Sequence, residues 1–216
     1  MYETKANNYF KNIRKELLNL IPQQNRNGSI LEIGAGSGAT MIYAKQNGYA
    51  KKIYGIELCK VDDSFQENSE FESFLIGNIE NMNLGYDEKS FDVILCGDVL
   101  EHLINPYEIV KKIKFFLKDD GVLIASLPNI RQIQMMIQIY LKGDFRYEEA
   151  GILDKTHLRF FCKKNMIELF ENKGLQVEQI VSNSNLIGKT TKLLNKLTFN
   201  IFDEFLAAQY YLVVRK

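Results

Sequence analysis

The sequence has few or none of the features that mark several large classes of protein. Its net charge is zero, with 27 basic and 27 acidic side chains, and this balance leaves no basic field to favour nucleic acid as a partner. It has no apolar run of about 18 residues and no signal-peptide pattern, so we expect no membrane span and a cytoplasmic location. Its three cysteines are far apart, which is typical of reduced thiols and supports neither a disulfide framework nor a zinc motif.

The remaining composition is that of an ordinary globular protein. Apolar residues make up 46% and charged residues 25% of the 216 positions, which is enough for one sizeable hydrophobic core. We therefore predict a single domain over residues 1–216. Apolar positions at helical spacing between Lys5 and Ile21 predict a helix, closed by Pro22. This segment, 1–22, either forms a lid over the site or covers the edge of the sheet.

The functional prediction depends on the stretch from Ile30 to Gly38, ILEIGAGSG. Its apolar residues predict a buried strand, and the glycine-rich turn after it leads into a helix predicted from Ala39 to Gln46. Glycine lets the backbone approach a ligand closely and adopts positive φ at little cost. A strand, a glycine turn and a helix N-terminus together predict a nucleotide-sized cradle at the carboxyl edge of a parallel sheet.

A second apolar run, 52–58, carries Glu57 near its end, 19 residues after Gly38. A carboxylate at the tip of the second strand can accept hydrogen bonds from both hydroxyls of a ribose. The turn and the acid therefore predict an adenosine-binding site. Ala39 stands where the dinucleotide fingerprint has glycine or alanine, so a nicotinamide cofactor and S-adenosylmethionine both remain open at this point.

The next predicted strand, 71–76, is followed by Gly77 and Asn78. The amide of Asn78 can donate to and accept from the edge of adenine, and Ile79 can pack on the face of the ring. A simple turn is the alternative, because Gly-Asn is common turn chemistry.

A strong strand pattern over 91–96 is followed by Asp98, Glu101 and His102. Asp98 is predicted to cap the next helix, with Glu101 as its capping-box partner three residues on. His102 would then lie one turn inside that helix and face either the substrate or a neighbouring loop.

Strands and helices alternate along most of the chain. An amphipathic helix follows Pro106, a strand over 122–127 stops at Pro128, and two more strands are predicted over 175–181 and 209–215. This alternation predicts a doubly wound α/β sheet with helices on both faces.

In their order and spacing, five segments resemble the motifs of class I S-adenosylmethionine-dependent methyltransferases. They are ILEIGAGSG, the acid in GIEL, GNIEN, FDVILCGDVLEHL and LKDDGVLIASLPN. The segment 151–161, GILDKTHLRFF, looks like that of a bacterial subgroup often encoded with cell-surface glycan and glycosyltransferase genes. The resemblance implies a Rossmann-like, mostly parallel, seven-stranded sheet whose last strand is antiparallel.

The resemblance also implies the cofactor, S-adenosylmethionine, which leaves as S-adenosylhomocysteine, and the residues around it. The glycines line the methionine and ribose, Glu57 holds the ribose, and Cys96 contacts the adenosine through its backbone. The full set of expected cofactor-binding residues is Glu32, Gly34, Ala35, Gly36, Gly38, Glu57, Leu58, Asn78, Ile79, Cys96 and Asp98.

Residues 129–160 interrupt the strand–helix rhythm, and we predict that they form a lid with the acceptor pocket. His157 is the predicted general base for a hydroxyl acceptor, oriented by Asp154 three residues before it, although it could instead pin the lid. His102, Asn129 and Arg159 are the predicted substrate contacts, and no metal site is predicted.

The most favoured function is methyl transfer to a hydroxyl oxygen of a small molecule or saccharide. Methylation of an amine, such as an amino sugar, and a non-catalytic cofactor-binding subunit are the alternatives. A dehydrogenase is disfavoured, because the Tyr-x-x-x-Lys spacing at Tyr107 and Lys111 lies on the helix before the fifth strand rather than after it.

Overall fold

The computed structural model describes residues 12–183 and 202–216. Its centre is one seven-stranded sheet in the order β3-β2-β1-β4-β5-β7-β6. The strands are β1 Gly28–Ile33, β2 Ala50–Glu57, β3 Phe71–Ile76, β4 Phe91–Gly97, β5 Leu117–Pro128, β6 Gln176–Asn183 and β7 Gln209–Arg215. β1 to β5 pair in parallel, whereas β7 is antiparallel to both β5 and β6. The predicted fold class is confirmed, including the antiparallel last strand.

Short helices lie on both faces of the sheet. They are α1 Lys15–Leu18, α2 Ala39–Gln46, α3 Pro106–Phe116, α4 Ile133–Met136, α5 Lys163–Glu171 and α6 Asp203–Leu206, with 3-10 turns over Gln23–Asn25 and Leu100–His102 and a π turn over Ile137–Leu141. Among the helices of the described ranges, none is long and apolar enough to cross a membrane.

The two faces of the sheet form two separate hydrophobic cores, because successive side chains of a strand point to opposite sides. On β1, Ile30 packs with α1 and α2, whereas its neighbour Leu31 packs with α3 and α5. On β5, Val122 likewise belongs to the core that contains Ile30, and its neighbour Leu123 belongs to the core that contains Leu31. Both faces of the central strands are therefore apolar, as the continuous apolar runs of the sequence indicate.

The predicted N-terminal helix is much shorter in the structure. Of the described residues only Lys15–Leu18 are helical, and positions 5–11 lie outside the described ranges. The helix ends early because the N–H groups of Leu20 and Ile21 each donate to the carbonyl three residues back, at 3.1 Å. Asn12, Ile13 and Arg14 run past the carboxyl edge of the sheet and line the cleft described below.

The predicted capping box at Asp98 and Glu101 is wrong. Asp98 has a left-handed backbone with φ of 53°, and the chain then makes the 3-10 turn Leu100–His102 preceded by Val99. The following helix, α3, begins at Pro106 and is capped by Asn105, whose side chain accepts the Glu108 N–H at 3.3 Å. Asp98 cannot cap a helix here because its carboxylate is bonded to distant side chains.

Candidate active site

A cleft of about 300 Å³ opens at the carboxyl edge of the sheet. It lies where β1 has β2 on one side and β4 on the other, so the order of the strands reverses there. Doubly wound sheets bind their ligands at this position. Ten predicted site residues line the cleft, namely Glu32, Gly34, Ala35, Gly36, Glu57, Leu58, Asn78, Ile79, Asp98 and His102.

The turn after β1 brings backbone, rather than side chains, to the cleft. Gly34 and Ala35 both donate their N–H to the Ile56 carbonyl, at 2.9 and 3.0 Å, which holds the turn against β2. Gly34 has φ of +72°, and a Cβ built on it would lie 2.4 Å from Cγ2 of Val99. Glycine is therefore required here both by the backbone conformation and by the close approach of Val99.

Glu57 points toward this turn and is held by backbone donors on both of its oxygens. Its Oε2 accepts the Gly36 N–H and its Oε1 accepts the Leu58 N–H, both at 2.7 Å. A carboxylate has about four acceptor positions, so with three backbone N–H donors it can still accept from a ribose hydroxyl. Burial raises the pKa of Glu57, and the N–H groups of Gly36, Leu58 and Cys59 partly oppose that rise.

Glu32 is a buried carboxyl at the floor of the cleft, only 1% exposed. Burial raises its pKa to about 8, partly offset by the charge of Arg14 and reinforced by that of Glu57. Its Oε2 has no hydrogen-bond partner among the described residues. A buried oxygen of this kind is costly unless a ligand donates to it.

Arg14 and Asp98 form an ion pair beside the cleft, with Nη1 of Arg14 2.5 Å from Oδ2 of Asp98. Oδ1 of Asp98 accepts the Ser126 hydroxyl at 2.8 Å and the Gln209 amide. Burial would raise the pKa of Asp98, but the Arg14 charge and the hydrogen bonds outweigh it and hold that pKa below its ordinary value. Asp98 is therefore an ionised group that fixes the position of Arg14.

Asn78 is exposed on the rim, next to buried Ile79. Its side-chain oxygen accepts the Glu80 N–H at 2.9 Å. The turn, which the sequence allowed as the alternative to an adenine contact, is therefore present. Asn78 also lines the cleft.

At another part of the cleft wall, Glu101, His102 and His157 form a compact group that we call the imidazole cluster. The two rings are 4.6 Å apart between centroids, at 65°, and Nε2 of His157 lies 3.9 Å from Oε1 of Glu101. His102 lines the cleft, whereas His157, 7% exposed, lies in the 129–160 insertion and contacts the His102 ring.

The predicted orientation of His157 by Asp154 takes a different form. Nδ1 of His157 lies 2.9 Å from the Ile152 carbonyl oxygen. Asp154 instead accepts the backbone N–H of Thr156 at 2.8 Å and its hydroxyl at 2.7 Å. The Thr156 hydroxyl oxygen in turn lies 3.1 Å from Nδ1 of His102, so Asp154 is linked to His102 through Thr156.

Two predicted cofactor contacts lie outside the cleft wall. Gly38 immediately precedes α2, and a Cβ on it would lie 2.9 Å from Phe71. Its glycine therefore allows the helix to begin there and Phe71 to pack closely. Cys96 is fully buried within β4, and its neighbour Gly97 lines the cleft instead. Burial also raises the pKa of the Cys96 thiol.

Two residues predicted to contact the substrate instead form hydrogen bonds with backbone carbonyls of the protein. Asn129 is 1% exposed and donates to the carbonyls of Glu204 and Ala207, at 2.7 and 2.9 Å. Arg159 donates to the Ile104 and Leu158 carbonyls at the surface. Both side chains tie the insertion to neighbouring segments.

The residues present fit S-adenosylmethionine. Glu57 offers two oxygens to the ribose hydroxyls, and the turn at 34–36 offers a backbone without bulky side chains. Glu32 offers a buried oxygen that suits an ammonium group, and Arg14 offers a guanidinium that suits a carboxylate. These are the two charged groups of the cofactor's amino-acid portion.

Sequence reasoning did not single out Arg14, Val99, Ser126 or Gln209. Each is an ordinary residue in its own segment, and its role comes from contact with residues far away in the chain. The one local indication of a site residue is a polar side chain directly after a strand of a doubly wound sheet. This pattern indicated Asp98, but it did not indicate the residues that bond to Asp98.

Comparisons with known proteins agree with this geometry. A family model described as a methyltransferase domain matches residues 6–180. A ubiquinone biosynthesis O-methyltransferase of Glaesserella parasuis is 23% identical over 171 residues, which cover 71% of this chain and 71% of that protein.

Two solved structures share the fold. A SAM-dependent methyltransferase from Archaeoglobus fulgidus superposes with a TM-score of 0.66 at 16% identity, covering 98% of this chain and 95% of that one. The 1,6-didemethyltoxoflavin-N1-methyltransferase of Burkholderia thailandensis, solved with S-adenosylhomocysteine, gives 0.61 at 14% identity, covering 100% and 80%. With its fold, its cleft and the family match over most of its length, the chain belongs to the methyltransferase domain family and is an S-adenosylmethionine-dependent methyltransferase.

Proposed function

We propose that this enzyme transfers the methyl group to a hydroxyl oxygen of a small molecule or saccharide. The observation that carries the proposal is the imidazole cluster, in which His102 lines the cofactor cleft and His157 packs against the His102 ring. Imidazole is the side chain best suited to proton removal near neutral pH, and a hydroxyl acceptor needs that removal. The similarity to a ubiquinone biosynthesis O-methyltransferase also supports oxygen as the acceptor atom.

Methyl transfer depends mainly on how the donor and the acceptor are positioned relative to each other. When bound, S-adenosylmethionine supplies a methyl group on a sulfonium, whose carbon–sulfur bond breaks with both electrons staying on sulfur as the carbon–oxygen bond forms. The turn at 34–36 and Glu57 hold the donor at one end of the cleft. The insertion, anchored through Asn129, holds the acceptor so that the reacting atoms come within about 3–3.5 Å.

The acceptor proton leaves at the imidazole cluster, on the side that His102 presents to the cleft. His157 was the base predicted from the sequence, but it stands behind His102 and its Nδ1 is held by the Ile152 carbonyl. We therefore assign the direct contact with the acceptor to His102 and a supporting contact to His157. Asp154 acts through Thr156 on the orientation of the His102 ring.

The association with cell-surface glycans and the cytoplasmic location remain parts of the proposal. The first is supported by the segment 151–161, which includes His157. The second is supported by the three cysteines, which are all free thiols in the structure as expected in a reducing compartment.

The test uses S-adenosylmethionine with an isotope-labelled methyl group and a panel of phenols, sugars, amino sugars and simple amines. Formation of S-adenosylhomocysteine is measured, and the chemical shift of the transferred methyl group distinguishes oxygen from nitrogen. We expect labelled O-methyl product with the wild type and at least about a hundredfold less with His102→Asn, at unchanged cofactor affinity. A methylated amine as the sole product, or cofactor binding with no transfer to any acceptor, would overturn the proposal.

A further inference from the structure

We propose that Glu101, His102 and His157 are the ligands of a divalent transition-metal ion. One ligand atom from each residue lies within 4.8 Å of the others, and the Nε2–Oε1 separation between His157 and Glu101 is 3.9 Å. Ligand atoms about 2.1 Å from one tetrahedral ion are about 3.4 Å apart. The measured pair therefore needs to close by about 0.5 Å and the widest pair by at most about 1.4 Å, which changes in the side-chain torsions of the three residues would supply.

The hydrogen bonds to backbone carbonyls involve the same ring nitrogen, Nδ1, in both histidines. Nδ1 of His102 lies 3.0 Å from the Thr156 carbonyl oxygen, and Nδ1 of His157 lies 2.9 Å from that of Ile152. A carbonyl only accepts, so Nδ1 carries the proton in each ring and Nε2 carries the lone pair. Donation from the second ring nitrogen to a backbone carbonyl is the usual outer contact of metal-bound histidine.

A chain of polar groups extends behind His102. The Thr156 hydroxyl donates to Asp154 at 2.7 Å, so its oxygen is turned to accept from His102, 3.1 Å away. This arrangement fixes the tautomer of His102 from the insertion side. An orienting shell of this kind typically affects metal affinity by about 10–100-fold.

The two parts of the chain that supply the ligands are locked together. The Glu101 carbonyl accepts the N–H groups of Leu158 and Arg159, at 2.8 and 3.0 Å. The 3-10 turn that carries Glu101 and His102 is thus bonded to the backbone immediately after His157. Glu101 is only 1% exposed and His157 only 7%, and a doubly charged cation would offset the cost of burying that carboxylate.

The ligand atoms decide the class of ion. Two imidazole nitrogens and one carboxylate oxygen suit Zn²⁺, Mn²⁺ or Fe²⁺, whereas Mg²⁺ and Ca²⁺ prefer oxygen ligands throughout. Three protein ligands leave at least one coordination position for another molecule. Because His102 lines the cleft, that position faces the acceptor.

The catalytic consequence, unlike the binding site itself, rests on the proposed function. A divalent cation lowers the pKa of an oxygen bound to it. With the ion bound, His102 and His157 would act as its ligands instead of as bases, and an acceptor hydroxyl at the open position would lose its proton to solvent near neutral pH. Removal of the proton by His102 would then be the route of the metal-free protein. With a six-coordinate ion such as Mn²⁺ or Fe²⁺, which leaves more than one position open, the enzyme would favour acceptors whose hydroxyl has a second oxygen beside it, because both oxygens can then bind the ion.

The test measures metal binding without an acceptor. Protein freed of metal by a chelator is titrated calorimetrically with Mn²⁺, Zn²⁺ and Mg²⁺, and the bound metal is counted by mass spectrometry. We expect one equivalent of Mn²⁺ or Zn²⁺, much weaker binding of Mg²⁺, and at least about a tenfold loss of affinity for Thr156→Val. Glu101→Gln, His102→Asn and His157→Asn should each weaken binding further.

Glu67→Gln is the matched control, since Glu67 is an exposed acid paired with Lys60 on the surface. Circular dichroism and cofactor affinity verify that each variant is folded. Absence of an equivalent of bound Mn²⁺ or Zn²⁺, or wild-type affinity in a folded Glu101→Gln protein, would overturn the metal site.

The two proposals fail differently. Full methyl transfer by metal-free protein would remove the catalytic role of the ion and leave the O-methyltransferase standing. One bound equivalent in a protein that methylates no hydroxyl would leave the metal site and remove the proposed function.

Discussion

The carboxylate of Glu57 accepts the backbone N–H of Gly36, with 2.7 Å between oxygen and nitrogen. The end of β2 and the turn after β1 are therefore joined by the same side chain that we propose as the acceptor for the ribose hydroxyls. The ligand site is organised before the cofactor arrives, so binding needs little rearrangement of this part of the cleft.

Glu57→Gln should weaken S-adenosylmethionine binding by about 10–100-fold, which corresponds to about 1.5–3 kcal/mol for hydrogen bonds to a charged group. The amide would place an NH2 group against one of two backbone N–H donors, so one of the bonds to Gly36 and Leu58 becomes a repulsion. Calorimetric titration measures the effect. Glu67→Gln, at an exposed position, is the control and should bind as the wild type does.

Glu32 should make the stability of the cofactor-free protein fall as pH rises. Burial raises its pKa from the ordinary value of 4.5 to about 8 in the folded state, so between those values the folded state binds more protons than the unfolded state. The free energy of unfolding then decreases by up to about 1.4 kcal/mol per pH unit in that window. Urea unfolding of the wild type and Glu32→Gln should differ in this slope, and equal slopes would contradict the assignment.

The same carboxyl should release a proton when the cofactor binds below about pH 8. The ammonium group of S-adenosylmethionine next to Oε2 favours the ionised form of Glu32, which lowers its pKa. Calorimetry in two buffers of different ionisation enthalpy gives the number of protons released. We expect up to about one for the wild type and none from this position in Glu32→Gln.

Gly34→Ala should both destabilise the protein and weaken cofactor binding. Its backbone has φ of +72°, and the added Cβ would meet Val99 at 2.4 Å, which together cost about 2–4 kcal/mol. Gly48→Ala is a close control, because Gly48 has φ of +74° with nothing within 4 Å of the added carbon. The difference between the two variants in thermal unfolding isolates the Val99 contact, and equal losses would argue against it.

Asn129→Ala should reduce stability by about 2 kcal/mol, because it removes the side-chain donor from the buried bond to the Ala207 carbonyl and from the partly buried bond to the Glu204 carbonyl. Asn165→Ala, which removes an exposed bond to Glu168, serves as the control and should change little. Cofactor affinity should stay near the wild-type value, since Asn129 lies outside the cleft wall. A large loss of affinity with unchanged stability would restore Asn129 to the ligand site.

The parts of the fold that the sequence predicted well depend on local pattern. α2 and β7 have the predicted bounds, Ala39–Gln46 and Gln209–Arg215, because a glycine turn and an alternating apolar run act within a few residues. The left-handed conformation of Asp98 was not predictable in this way. Its partners Arg14 and Gln209 are 84 and 111 residues distant in the chain.

In the site, too, the features that depend on local sequence were predicted, and those that depend on distant contacts were not. Glu57 and the glycine turn follow from a motif that sits on two consecutive strands. The contact between His102 and His157 depends on the path of the 129–160 insertion, whose irregular turns carry no periodic signal. Both residues were chosen from the sequence, but as separate contacts rather than as a pair.

The position of β7 has a consequence for how the chain assembles. Among the described strands, β6 pairs with β7 alone, and β7 follows β6 in the chain and is synthesised after it. Until β7 emerges, the outer edge of β5 exposes unsatisfied backbone groups and β6 has nowhere to attach. A nascent chain stalled at that stage would be prone to pair with another copy of itself, so the danger of aggregation is greatest before β7 has emerged.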